Sequence, residues 1–108
     1  MTEHNIRIDL IIDAAGKEHA VPEIPKGGDL HVDDTVRYFS NDGTTRVEFC
    51  TPFGDPEIVV NDGEIRTLTT AGRFFCKCFL TLPNGRRIGW RPNEVPESGG
   101  EHDVRPRD

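Results

Sequence analysis

The chain is 108 residues long, enough for one two-layer domain and too short for a doubly wound nucleotide-binding fold or an α/β barrel. Hydrophobic residues make up 34% and charged residues 30% of it, with a formal net charge of −6. Strand-like apolar segments nevertheless recur along most of its length, so disorder is not its default state.

Ile6–Ile12 alternates apolar and polar, which predicts a half-buried strand with Ile6, Ile8, Leu10 and Ile12 inward. Asp13–Lys17 is a turn, His19–Val21 a short return strand, and Lys26–Asp29 a corner after Pro22 and Pro25. Leu30–Val32 and Thr35–Ser40 follow, with Val36 and Tyr38 on one face. Asn41-Asp42-Gly43 is a strong turn signal before Thr45–Cys50, whose Val47 and Phe49 point inward. Pro52, Gly54 and Pro56 mark an irregular stretch. Ile58–Val60, the Asn61-Asp62-Gly63 turn and Glu64–Thr70 lead into the longest strand, Arg73–Leu82. Pro83-Asn84-Gly85 signals a hairpin that returns through Arg86–Arg91. Residues 1–96 read as one domain, and 97–108 as a polar tail on its surface. No segment sustains a helical period. The pattern of seven or eight short strands therefore predicts an all-β, antiparallel sandwich or barrel.

No apolar run approaches the roughly 20 residues that span a bilayer. The opening Met1–Asn5 lacks the basic region of a secretory signal, and three cysteines are an odd number for a disulfide framework. A cytoplasmic, reducing setting without membrane contact is expected. Residues 1–64 carry 5 basic and 14 acidic side chains, a balance of −9; residues 65–108 carry 8 and 5, a balance of +3. The local excess centres on Arg86, Arg87 and Arg91. Duplex nucleic acid is normally held through roughly 6–10 phosphate contacts, so nucleic-acid binding is not expected.

Leu30–Gly43 contains Asp33-Asp34-Thr35-Val36-Arg37-Tyr38-Phe39-Ser40-Asn41-Asp42. It resembles the early "V-x-x-G-D-T-V-x-F-x-N-x-D" phrase of cupredoxins, with Asp33 where that family often has glycine. Gly63–Cys78 is similar to the phrase leading to the family's copper-binding cysteine, with Gly72, Phe74 and Cys78 at its glycine, first aromatic and cysteine. The resemblance covers about Leu30 to Trp90 and implies a Greek-key sandwich. An immunoglobulin-like sandwich is the alternative fold, although the Cys…Trp…Cys arrangement of antibody domains is absent.

The copper chemistry does not accompany the resemblance. A blue-copper site needs two imidazoles, a thiolate and a weak axial thioether. Thr45 stands at the first histidine position and Thr81 at the second, residues 82–91 hold neither Met nor His, and Cys78 alone remains. A degenerate site without cofactor is expected, copper through Cys78 with non-standard ligands being the alternative.

Cys76-Lys77-Cys78 places two thiols on one strand face, expected as small core hydrophobes. A soft-metal set of Cys76, Cys78 and Cys50 is the other reading. His4, His19, His31 and His102 are scattered and expected at the surface. Asp33 and Asp34 read as a turn with solvated carboxylates. No nucleophile–base or acid–base pair is placed by spacing, so no enzyme activity is expected. Trp90 beside Arg87 and Arg91 suits a recognition anchor, since Trp and Arg are enriched in binding hot spots. Together with Arg86 they form the expected partner-binding surface, for an unidentified protein or a small anionic ligand.

Overall fold

The structure, a computed structural model, describes residues 2–23, 30–50, 56–89 and 99–106. Among them are ten strands: β1 (Glu3–Ile12), β2 (Glu18–Pro22), β3 (Leu30–His31), β4 (Thr35–Phe39), β5 (Thr44–Cys50), β6 (Pro56–Asn61), β7 (Arg66–Thr67), β8 (Gly72–Thr81), β9 (Arg87–Gly89) and β10 (Gly99–Arg105). No helix among the described residues is long and apolar enough to cross a membrane. The expected 26–29 corner, the stretch from Pro52 to Asp55, and Trp90 and Arg91 lie outside the described residues.

Two sheets form a sandwich. One has the order β2-β1-β4-β7; the other runs β3-β10-β8-β5-β6, with β9 also paired to β8. The expectation of wholly antiparallel sheets is corrected, because β1 pairs with β4 in parallel and β10 with β3 in parallel. The reason is topological. After β2 the chain visits the second sheet as β3, then returns on the free side of β1, already running in β1's direction.

The polar tail is corrected as well. Residues 99–105 form β10, between β3 and β8, with Gly99 opposite Lys77 and Val104 opposite Gly72. Val104 is buried in the core. Its neighbours are polar, so membership of the sheet comes from backbone pairing that apolar periodicity does not reveal.

Strand alternation builds the core. Phe74, Cys76, Cys78 and Leu80 of β8 are buried, whereas Phe75, Lys77, Phe79 and Thr81 on the other face are half-buried. Val47 and Phe49 of β5 lie directly opposite Cys78 and Cys76. From the facing sheet come Ile6, Ile8, Val36 and Tyr38. Tyr38 meets Phe49 edge-on at 6.3 Å, and Phe49 tilts against Phe74 at 6.0 Å, so an aromatic chain joins the two sheets. Each fully buried side chain of this size contributes about 1.5–3 kcal/mol. Ile12 departs from expectation at 63% exposure, with Ile11 at 46%. They lie where the β1–β2 hairpin runs out past the core, and Leu10 is the last inward residue packed against it.

Candidate functional site

Several connections gather at one end of the sandwich. In the first, Asp13 Oδ1 accepts the Ala15 N–H at 2.8 Å and the Lys17 N–H at 3.0 Å, while the Asp13 N–H donates to the Lys17 carbonyl. His19 Nε2 donates to Asp13 Oδ2 at 2.8 Å. The hydrogen bond from His19, followed by that from the Lys17 backbone, holds the Asp13 carboxyl below its usual range. A second connection, after β4, brings Gly43 against the end of β8. A Cβ on Gly43 would stand 2.1 Å from the Thr81 carbonyl oxygen, so only glycine fits. The third, after β8, closes through Gly85 N–H to the Leu82 carbonyl and Arg86 N–H to Asn84 Oδ1. The expected neighbours, the Asn41–Thr45 loop, the end of β8 and the Pro83–Arg87 hairpin, are thus adjacent.

A cleft of about 260 Å³ opens between the first and third of these connections. Lys17, Glu18 and His19 line one wall; Arg86, Arg87 and Gly89 line the other. Arg86 Nη2 donates to Glu18 Oε2 at 2.5 Å, bridging residues 68 apart in sequence. The Arg87 guanidinium sits 5.8 Å from the centroid of the Phe79 ring. A Cβ on Gly89 would come within 2.5 Å of the Cys78 carbonyl oxygen, so its absence lets β9 lie close on β8. The sequence indicated the Arg86–Arg87 wall. It did not indicate Lys17 and Glu18, whose only signal is their place in a turn from a distant part of the chain.

The three positions expected as a degenerate copper site are only partly brought together. Thr45 lies opposite Leu80 on the same inner face as Cys78, one step along the ladder. It is buried, and both its N–H and its hydroxyl donate to Asp62 Oδ1, at 3.1 and 3.0 Å. Cys78 is fully buried, and burial pushes its thiol up to about 12. Thr81 falls on the opposite, outer face of β8, because it is an odd number of residues from Cys78. It does not join the other two.

The alternative set of Cys76, Cys78 and Cys50 is corrected. Cys50 pairs with Phe75 on the other face of the ladder, away from Cys76 and Cys78. Among the described residues, no three His, Cys, Asp or Glu side chains are grouped to hold a metal ion. All three cysteines carry thiols rather than disulfides, and all three are buried. Cys76 and Cys78 belong to the core, as expected for small hydrophobes. Tyr38 shares that core, and its hydroxyl is pushed well above its usual pKa by burial first and then by the two thiols.

The sequence reading missed the opposite end of β1. Asp34, expected as a solvated turn residue, is 1% exposed. Its Oδ1 accepts the Thr2 N–H at 3.0 Å; its Oδ2 accepts the His31 N–H at 3.1 Å and His4 Nε2–H at 2.9 Å. Burial by itself would raise the Asp34 pKa, but the hydrogen bonds from His4, Thr2 and His31 outweigh it and hold the carboxyl down at about 2. His4, half-buried, and His19, buried, are therefore partners of carboxylates rather than freely exposed surface residues. Asp33, beside Asp34, has a φ of +77°. That left-handed conformation is natural for glycine, the residue the resembling phrase carries there.

Comparison with protein-family models gives no match for this chain, and comparison with curated proteins gives none either.

Proposed function

We propose that the chain is a cupredoxin-like Greek-key sandwich whose loop end recognises an acidic partner in a reducing compartment, without bound copper and without catalysis of its own. The sheet-switching path of the chain supports the fold reading. So does Asp33, whose left-handed φ matches the glycine of the family phrase. The parallel β1–β4 and β3–β10 pairings favour it over an immunoglobulin-like sandwich, which is built from two antiparallel sheets.

One observation carries the functional reading. At the strand ends where copper ligands would converge, the chain presents a cleft bordered by Arg86 and Arg87, while Cys78 is turned into the core. Thr45, the neighbour of Cys78 on that face, has committed its hydroxyl proton to Asp62. Burial holds the Cys78 thiol up at about 12, so copper would have to displace its proton before the sulfur could ligate.

Titration of the reduced protein with Cu(II) tests this. The expected result is no stoichiometric complex. A one-to-one complex with intense thiolate-to-copper absorption, lost in Cys78→Ser, overturns it in favour of a metal-binding or electron-transfer protein.

A further inference from the structure

We propose that the cleft between the β1–β2 turn and β9 receives a carboxylate side chain of an acidic partner segment, and that Glu18 is a resident stand-in which this carboxylate displaces. The inference deepens the partner-binding reading and rests on it. Among the described residues, Arg86, Arg87 and Lys17 line the cleft together with one carboxylate, that of Glu18, in a chain whose net charge is −6. A positive cleft on an acidic protein selects for negative partners.

Glu18 shows which chemistry the cleft accepts. Its carboxylate already accepts a charge-assisted hydrogen bond from the Arg86 guanidinium, through Nη2 to Oε2. The bridge is open to solvent, with the Arg86 side chain 56% and the Glu18 side chain 26% exposed. An exposed pair of this kind contributes little net stability, so an incoming carboxylate exchanges with Glu18 at little cost. Arg87 is steadied over the Phe79 ring, an arrangement that leaves the in-plane N–H donors of a guanidinium for another acceptor. Both cationic walls are fixed by tight turns, the Asp13-centred one carrying Lys17 and the Gly85 one carrying Arg86. At about 260 Å³ the space is below the ~300–1,000 Å³ of small-molecule sites and suits one acidic side chain.

The probe is an acetylated, amidated tetraglutamate peptide, titrated into the whole protein at low salt and followed by backbone amide NMR. Saturable shifts are expected at Gly16–His19 and Arg86–Gly89, with affinity falling at least about fivefold between about 20 and 200 mM salt. Glu18→Gln should tighten binding by about threefold or more, because the resident competitor is gone. Arg86→Gln should weaken it about tenfold. If Arg86→Gln loses the native amide spectrum, Arg87→Gln carries the same expectation.

A tetraglutamine peptide that shifts the same amides equally well overturns the proposal. Unchanged affinity in Glu18→Gln overturns it too, as does inorganic phosphate binding the cleft more tightly than the peptide. The two readings fail separately. A Cys78-dependent copper complex removes the copper-free reading whatever the peptide does, whereas a silent cleft with no copper complex removes only the carboxylate site.

Discussion

A histidine–aspartate pair meets each end of β1, with nearly the same separation: 2.9 Å for His4–Asp34 and 2.8 Å for His19–Asp13. The surroundings differ. The Asp34 side chain is 2% exposed and also accepts two backbone N–H groups, from Thr2 and His31, which ties β1 to the β3–β4 corner. The Asp13 side chain is 29% exposed, and its other bonds stay within its own turn. The same two residue types therefore close one end of the sandwich and shape a loop at the other. Burial decides which: a carboxylate out of water makes every bond to it indispensable, while one at the surface can be replaced by water.

The largest expected effect follows from that difference. Asp34→Ala leaves the Thr2 and His31 amides and the His4 ring without their acceptor in a buried site, and should cost at least about 3 kcal/mol in urea unfolding. Acid should act through the same group. The folded-state pKa of Asp34, about 2, lies below its ordinary 3.8, so the unfolded chain takes up the proton first. Its contribution is complete above pH ~4 and is lost as the pH falls toward 2. Unfolding curves collected across that window should lose most of their pH dependence in Asp34→Asn. A wild-type slope that persists in the variant would assign the acid sensitivity to other carboxylates.

The open end has its own rigid point. Gly43→Ala forces a Cβ onto the Thr81 backbone oxygen, which no side-chain rotation can relieve. A loss of about 2 kcal/mol is expected, with the disturbance concentrated in the amides around Thr44 and Thr81. Wild-type stability in this variant would mean that the loop end is pliable, and that the contrast between the two ends is not one of closure against openness but of rigidity.

What the sequence made legible follows the same division. The alternation of β5 was readable because inward Val47 and Phe49 are apolar while outward Arg46 and Glu48 are charged, β8 was readable as a long run of strand-forming residues, and the Asn-Asp-Gly and Pro-Asn-Gly turns were readable because their residues carry local turn geometry. The buried role of Asp34 was not. It depends on Thr2 and His4, 32 and 30 residues away, and a polar residue announces no partner of its own. Half of the cleft was readable from the Arg86-Arg87 hairpin. Lys17 and Glu18 were hidden because fold closure, not spacing, brings their turn to β9. Strand β10 was missed for a third reason: Val104 alone carries the apolar signal that its buried position would otherwise show.

A milder effect is expected from Asp13→Ala. Its carboxylate loses bonds to Ala15, Lys17 and His19, but water can serve the exposed turn amides. A loss smaller than that of either Asp34→Ala or Gly43→Ala is expected in urea unfolding, because the turn amides regain water as a partner. The turn should loosen, and with it the position of Lys17, so tetraglutamate affinity should fall even though Asp13 itself is acidic. An increase in affinity would instead show that the charge of Asp13 matters more than the turn it organises.

The smallest effect on the fold, and the sharpest separation of the two ends, belongs to Arg86→Glu combined with Arg87→Glu. The Arg86–Glu18 bridge is exposed, and the Arg87–Phe79 contact lies on the outer face of β8, so neither supports the core. Charge changes at such positions usually alter stability by within about 0.5 kcal/mol. Binding should respond differently, because the two reversed charges join Glu18 in repelling an acidic segment from a cleft whose remaining lysine or arginine among the described residues is Lys17. A loss of at least about 1 kcal/mol in tetraglutamate binding is expected at low salt, shrinking as salt screens the repulsion. Unfolding curves and peptide titration on the same sample separate the outcomes. Intact folding with lost binding assigns these arginines to recognition. A large stability loss would instead make the Arg86–Glu18 bridge a structural tie between the β1–β2 hairpin and β9, and the two ends of the sandwich would then be closed by the same means.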